Sequence, residues 1–201
     1  MNFLAHLYLS GDNHEIIIGN FIADGIVGKK YLQYPSTIQQ GIQLHRAIDS
    51  FTDAHEIVRK SKCRLHARYK HYKGVIIDIF YDHYLAKNWQ QYSEIPLDVY
   101  VNSIYTLLQQ HHTVLPGKIQ QLLPYMIQYN WLYNYQYKEG IAEILKGMNR
   151  RTKKQSQMDV AINDLIKFDS DFEKDFTLFF EDLRIFSSQK LSEINLTNHF
   201  T

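Results

Sequence analysis

GVIIDIFYDHYLAKNW, Gly74 to Trp89, is apolar almost all the way round a helical projection. At 100° per residue Val75, Ile76, Ile77, Ile79, Phe80, Tyr84, Leu85 and Trp89 surround the axis, which predicts a helix buried on most sides. A helix wrapped this way needs others around it, and the rest of the chain supplies them. Met158, Ala161, Ile162, Leu165, Ile166, Phe172, Phe176, Phe179, Phe180 and Leu183 recur at i, i+3, i+4, i+7 spacing, which predicts one long amphipathic helix or two abutting ones. The tail over residues 188–201 is expected to fray. Pro35, Pro96, Pro116 and Pro124 each fall beside an expected helix start. YNWLYNYQY, Tyr129 to Tyr137, alternates aromatics as a strand would, but a lone strand in a helical chain has no ladder partner, so no strand is expected. The expected fold class is all-α: a single-domain bundle of about seven or eight helices over residues 1–201.

Composition narrows the function classes. The single cysteine, Cys63, excludes an intrachain disulfide, and MNFLAHLYLS lacks the basic start and long apolar core of a secretion signal. A soluble, cytoplasmic protein is expected, with no membrane partner, because no apolar run approaches the roughly 18 residues of a span. The net charge of +1 conceals a segregation. Arg59, Lys60, Lys62, Arg64, Arg68, Lys70 and Lys73 fall in residues 57–77 without an acid, and Lys146, Arg150, Arg151, Lys153 and Lys154 form a second basic zone. Asp159, Asp164, Asp169, Asp171, Glu173, Asp175, Glu181 and Asp182 follow against only Lys167 and Lys174. Such zones meet an acidic partner or a phosphate, or are simply solvated helix faces. Nucleic acid is disfavoured, because the aromatics lie in tracts apart from the basic runs.

Three segments gather the polar chemistry. In GIQLHRAIDSFTDAH, Gly41 to His55, Leu44, Ala47, Ile48, Phe51 and Ala54 share one arc, while His45, Arg46, Asp49 and Asp53 take the neighbouring one. His45 and Asp49 are one turn apart, so they can share a ligand or form a surface pair worth a few tenths of a kcal/mol. In the Gly74 helix, Asp78 and Asp82 lie inside the apolar surround, where an ionised carboxylate costs several kcal/mol unless something meets it. A metal ion, an arginine such as Arg46, or a helix cap would resolve this. His6 sits among Phe3, Leu4 and Leu7, and Asn20 and Asp24 are one turn apart on IIIGNFIADGI. Together with His83 these give imidazoles and carboxylates without thiolates, a donor set suited to Mn²⁺, Mg²⁺ or Fe²⁺. Such sites favour phosphate-ester hydrolysis, since the cation lowers the pKa of water and neutralises phosphoryl charge. No Gly-rich phosphate loop, G-x-S-x-G elbow or Cys/His nucleophile is present.

MNFLAHLYLS, GNFIADGIVG, GIQLHRAIDSFTDAH, SKCRL, GVIIDIFYDHYLAKNW and NWLYNYQYKEGIAEILKGMNRR, in this order, resemble the bacterial acyl carrier protein phosphodiesterase family, which is similar to the metal-dependent HD-domain phosphohydrolases. The resemblance runs from Met1 to about Arg151 and implies hydrolysis of the phosphodiester joining 4′-phosphopantetheine to a serine of acyl carrier protein, with Mn²⁺ or a similar ion. On that footing His6, Asp24, His45, Asp82 and His83 are the expected metal ligands. Asp24, Asp49 and Asp78 take catalytic roles, Asp49 and Asp78 as supporting or general-base residues, and Arg46 binds phosphate. HD proteins usually carry the adjacent pair as His then Asp, whereas this chain reads Asp82 then His83. The carrier is acidic, so Lys62, Arg64, Arg68, Arg150 and Arg151 are expected to bind it, and charge reversal at the first three to raise KM. Two alternatives stand beside this: an HD-type phosphohydrolase acting on a nucleotide or small phosphate ester, and a non-catalytic binding module for an acidic protein.

Overall fold

A computed structural model describes residues 2–198. Eleven α-helices and six 3-10 segments follow one another, with no strand among the described residues. The α-helices are α1 (Phe3–Tyr8), α2 (His14–Ile22), α3 (Ser36–Ala54), α4 (Glu56–Arg64), α5 (Lys73–Lys87) and α6 (Leu97–Gln110). They continue as α7 (Gly117–Gln128), α8 (Trp131–Asn134), α9 (Lys138–Arg151), α10 (Ile162–Lys167) and α11 (Asp169–Asn198). The all-α expectation holds. The helix count is higher than expected because one-turn pieces such as α8 interrupt what periodicity alone presents as continuous.

Helix α5 is the centre of the molecule. Ile76, Ile77, Ile79, Phe80, Tyr81, Tyr84 and Leu85 are fully buried, and α5 packs against α1, α4, α9 and α11. Val75 departs from the expected surround: it is exposed and faces a cleft described below. Pro35, Pro96 and Pro116 cap α3, α6 and α7, as their positions predicted, whereas Pro124 lies inside α7 rather than at a start. The Tyr129 to Tyr137 tract is helical at Trp131–Asn134, entered through Asn130 at φ 44°. No helix of the described residues is long and apolar enough to cross a membrane.

The acidic C-terminal stretch is the long helix α11, and much of its charge is met internally. Asp175, 1% exposed, accepts hydrogen bonds from Lys60 (3.0 Å), the Ser61 hydroxyl (2.8 Å) and Arg64, all on α4. Lys87 of α5 pairs with Glu173 at 2.9 Å and Lys138 of α9 with Asp169 at 2.6 Å. Helix α11 runs on through Asn198, over most of the tail expected to fray. Leu191 and Ile194 pack on the core, so the apolar periodicity outlasts Leu183. Residues 199–201 of that tail lie outside the described residues.

The closest helix pair is α2 and α3. A Cβ on Gly19 would run into the carbonyl oxygen of Ile38 and stand 2.9 Å from the Cα of Gly41. A Cβ on Gly41 would likewise meet the carbonyl oxygen of Ile16. Two glycines face to face let the backbones touch, which brings the residues one step and one turn beyond them, Asn20 and His45, within hydrogen-bond reach.

Candidate active site

Asn20, 0% exposed, is fixed first. Its Nδ2 donates to the carbonyl of His6 (3.0 Å) and to Ser10 Oγ (2.9 Å), and Ser10 Oγ itself donates to the same carbonyl (2.7 Å). With its donors spent there, Asn20 turns Oδ1 to His45 Nδ1 at 3.0 Å, so that nitrogen carries the proton. His45 therefore presents Nε2 to Asp49 Oδ2 at 3.1 Å and to Asp24 Oδ1 at 3.2 Å. A second imidazole joins from α1: His6 Nε2 lies 3.2 Å from Asp49 Oδ1, and its ring stacks on His45 at a centroid distance of 3.9 Å. His6 Nδ1 is buried without a hydrogen-bond partner.

The electrostatics follow from this packing. Burial drives His6 down to about 4, helped by the neighbouring His45 charge and opposed by its bond to Asp49. Burial also acts to lower His45, but its hydrogen bonds to Asp24 and Asp49 prevail and raise it to about 9. Asp49 would be raised by burial, yet the two imidazoles hold it far below the carboxylate range. Asp24 is lowered, chiefly by its hydrogen bond to His45. A cation is thus already favoured between these carboxylates. His6, His45 and Asp49 offer three donor atoms within 4.8 Å of one another, the composition of a divalent-metal site, with Asp24 on the exposed side. The bond from His45 Nδ1 to Asn20 is the outer support that aims a ligating imidazole.

The cluster opens on a cleft of about 1440 Å³. Asp24, His45, Asp49, Asp53 and Asp78 line one part of it, and Asp78 is raised by burial. Helices α7 to α9 line the rest with Leu122, Tyr125, Tyr129, Trp131, Ile144 and Met148, together with Lys118, Arg150 and Arg151. Arg150 and Arg151 were expected to bind the carrier, but the aromatic part of this wall and Lys118 were missed from sequence. Its signal was the aromatic alternation of Tyr129 to Tyr137, of which Tyr129 and Tyr137 stay exposed and line the cleft.

Of the expected site residues, His6, Asp24, His45 and Asp49 come together, and Asp78 shares their cleft. Asp82 and His83 do not join them, a correction to the implied ligand set. Asp82, 0% exposed, accepts the backbone amides of Asn2 (3.2 Å), Leu4 (2.7 Å) and Ala5 (3.4 Å), capping α1 from α5, and burial raises it to about 7. His83 Nδ1 donates to the carbonyl of Tyr135 at 2.7 Å, tying α5 to the end of α8, and Nε2 is buried without a partner. Arg46 is also corrected. Its Nη2 donates to the carbonyl of Gly28 at 2.9 Å, the guanidinium lies over Tyr31 at 4.9 Å, and it does not line the cleft. Among the expected partner-binding cations, Lys62 pairs with Asp53 (2.9 Å), Arg64 with Asp175, and Arg68 Nε donates to His66 (3.1 Å), so Arg64 is structural.

The model of one protein family, "Acyl carrier protein phosphodiesterase", matches residues 1–183. The chain belongs to the acyl carrier protein phosphodiesterase family. It is 31% identical to the acyl carrier protein phosphodiesterase of Photorhabdus laumondii over 90% of this chain and 91% of the relative. The protein of that name from Yersinia pestis is 33% identical over 76% of this chain and 80% of its own, and that from Yersinia enterocolitica 28% over 90% and 94%. No solved structure matches at a significant level. The matched region ends at Leu183, so it contains the four clustered residues, Asp78, the aromatic wall and both basic zones.

Proposed function

We propose that this chain hydrolyses the phosphodiester between 4′-phosphopantetheine and the serine of acyl carrier protein, as a cytoplasmic enzyme holding a divalent ion. The observation that supports this reading is the imidazole–carboxylate cluster at one part of a cleft of about 1440 Å³ whose other wall carries aromatic side chains with Lys118, Arg150 and Arg151. A phosphodiester with a protein on one side and a slender arm on the other needs such a cleft, with the reacting bond part-way along it.

His6, His45 and Asp49 would hold the ion, with Asp24 beside His45. Nitrogen and carboxylate donors without thiolate suit Mn²⁺ first, with Mg²⁺ or Fe²⁺ as alternatives. The chemistry such an ion supplies when bound is Lewis acidity toward water and the phosphoryl oxygens. Asn20 keeps the His45 ring in one orientation. Asp24, exposed at the cleft, takes the proton of the attacking water as its oxygen bonds to phosphorus. Asp78, whose raised pKa favours the protonated carboxyl, gives its proton to the serine oxygen as the phosphorus–serine bond breaks. Products are 4′-phosphopantetheine and the carrier with a free serine hydroxyl.

Incubation with holo-carrier and Mn²⁺ should release 4′-phosphopantetheine, detectable by chromatography of the free thiol. Chelation should stop the release and added Mn²⁺ restore it. Asp78→Asn should lower kcat by about 10²-fold or more with KM little changed, as for loss of a general acid. Release of the arm that proceeds undiminished in Asp78→Asn would remove that residue from the chemistry.

A further inference from the structure

A cation that receives an acidic partner must be unpaired and must stand where the partner's reacting group can enter. The two basic zones differ on this. On α4, Lys60 and Arg64 are committed to Asp175, and Lys62 to Asp53. Arg59, Lys70 and Lys73 make no side-chain ion pair among the described residues, but none of them lines the cleft. On the other zone both conditions hold for Arg150 and Arg151, joined by Lys118 of α7, whereas Lys146 is paired with Glu143 and Lys153 and Lys154 follow α9 without lining the cleft. Lys118, Arg150 and Arg151 are exposed and line the cleft; the side chains of Lys118 and Arg150 make no hydrogen bond or ion pair among the described residues. Arg151 rests against Trp131 at 5.9 Å, which braces the guanidinium without neutralising it.

The turn that follows α9 is a second, separate observation. Lys153 and Lys154 have φ of 52° and 63°, a left-handed conformation that costs a non-glycine residue roughly 1 kcal/mol or more. Asn149, 6% exposed, holds the turn there. Its carbonyl accepts from the Lys154 amide (2.8 Å) and Thr152 Oγ1 (3.0 Å), its Oδ1 from Ser156 Oγ (3.0 Å), and its Nδ2 donates to Asp159 (2.7 Å). Two exposed lysines are thus fixed on a rigid, strained turn where glycine or asparagine would be cheaper. Glu139 and Glu143 also line the cleft, but on the N-terminal half of α9, and Glu143 is held by Lys146 at 2.7 Å.

We propose that the C-terminal end of α9 with its turn, Arg150, Arg151, Lys153 and Lys154, together with Lys118 on the same cleft, is the docking rim for an acidic face of the carrier protein, and that the α4 run is not. This rests on the proposed function, since it names where that reaction's protein substrate sits. The rim places the carrier at the cleft mouth and leaves the arm to pass into it.

The test is titration of wild type and variants with holo-carrier at two ionic strengths, alongside steady-state kinetics. Arg150→Glu combined with Lys154→Glu should weaken binding and raise KM by roughly tenfold at low salt, and flatten the salt dependence, with kcat little changed. Arg59→Glu combined with Lys70→Glu should alter neither. Arg150 and Arg151 also sit where a helix end favours cations, but a purely structural role would move thermal stability and leave KM and salt slope alone. Unchanged affinity in the α9 pair, or a loss in the α4 pair, would overturn the proposal. Salt-sensitive binding lost in the α9 pair, without cleavage by wild type, would keep the rim and discard the reaction. No binding by wild type would discard both.

Discussion

Asp82 shows how one residue's environment settles its role. A carboxylate with no exposure costs several kcal/mol if ionised and unmet. Here three backbone amides at the start of α1, those of Asn2, Leu4 and Ala5, meet it, and hydrogen bonds to a charged acceptor contribute about 1.5–3 kcal/mol each. They do not fully offset burial, because its pKa still stands at about 7, above the usual aspartate value. A raised carboxyl pKa means the folded state binds the proton more tightly, so this group's contribution to stability falls as pH rises from about 4 to about 7 and is level above. Asp82→Asn removes that titration. Urea unfolding of wild type and variant at pH 5 and pH 8 should show the variant gaining on wild type at the higher pH; a pH-independent difference would contradict the assignment. The sequence allowed a cap among its alternatives for Asp78 and Asp82, yet could not choose. The amides that Asp82 serves lie about 80 positions earlier, and a cap supplied from another helix leaves no local signature.

At the scale of elements, the crossing of α2 over α3 builds the site. Gly19 and Gly41 allow the contact that sets Asn20 against His45. Gly41→Ala would place a methyl on the carbonyl of Ile16, backbone that cannot swing aside. A destabilisation of about 1–3 kcal/mol is expected from overpacking, read by chemical denaturation. Metal affinity should fall with it, since His45 loses its support; an unchanged fold and affinity would show that the contact relaxes freely. The i, i+4 relation of His45 and Asp49 was legible because it is local to one helix. That His6 rather than His83 completes the trio was not, since both are imidazoles on apolar helices and only the packing of α1 against α5 tells them apart.

Across the whole molecule, part of the charge segregation along the chain serves folding. The acidic α11 returns over the basic α4, and Asp175 is the buried centre of that contact. Arg64→Ala leaves Asp175 short of its closest cation in a dry setting, which should cost about 3 kcal/mol in thermal or urea unfolding. KM for the carrier should stay as in wild type, in contrast to the α9 rim; a raised KM with unaltered stability would reverse the two roles. The segregation was visible in the sequence, but which zone is consumed internally depends on tertiary pairing more than 100 residues apart.

We propose that His6, His45 and Asp49, with Asp24, form the reaction centre, and the intact mass of holo acyl carrier protein after incubation with Mn²⁺ and wild type, His45→Ala, Asp49→Asn or His83→Gln, each checked for folding, tests this. Loss of the phosphopantetheine mass is expected with wild type and His83→Gln, and its retention with the other two and in chelator. Stripping of the carrier by folded His45→Ala or Asp49→Asn at the wild-type rate would contradict it.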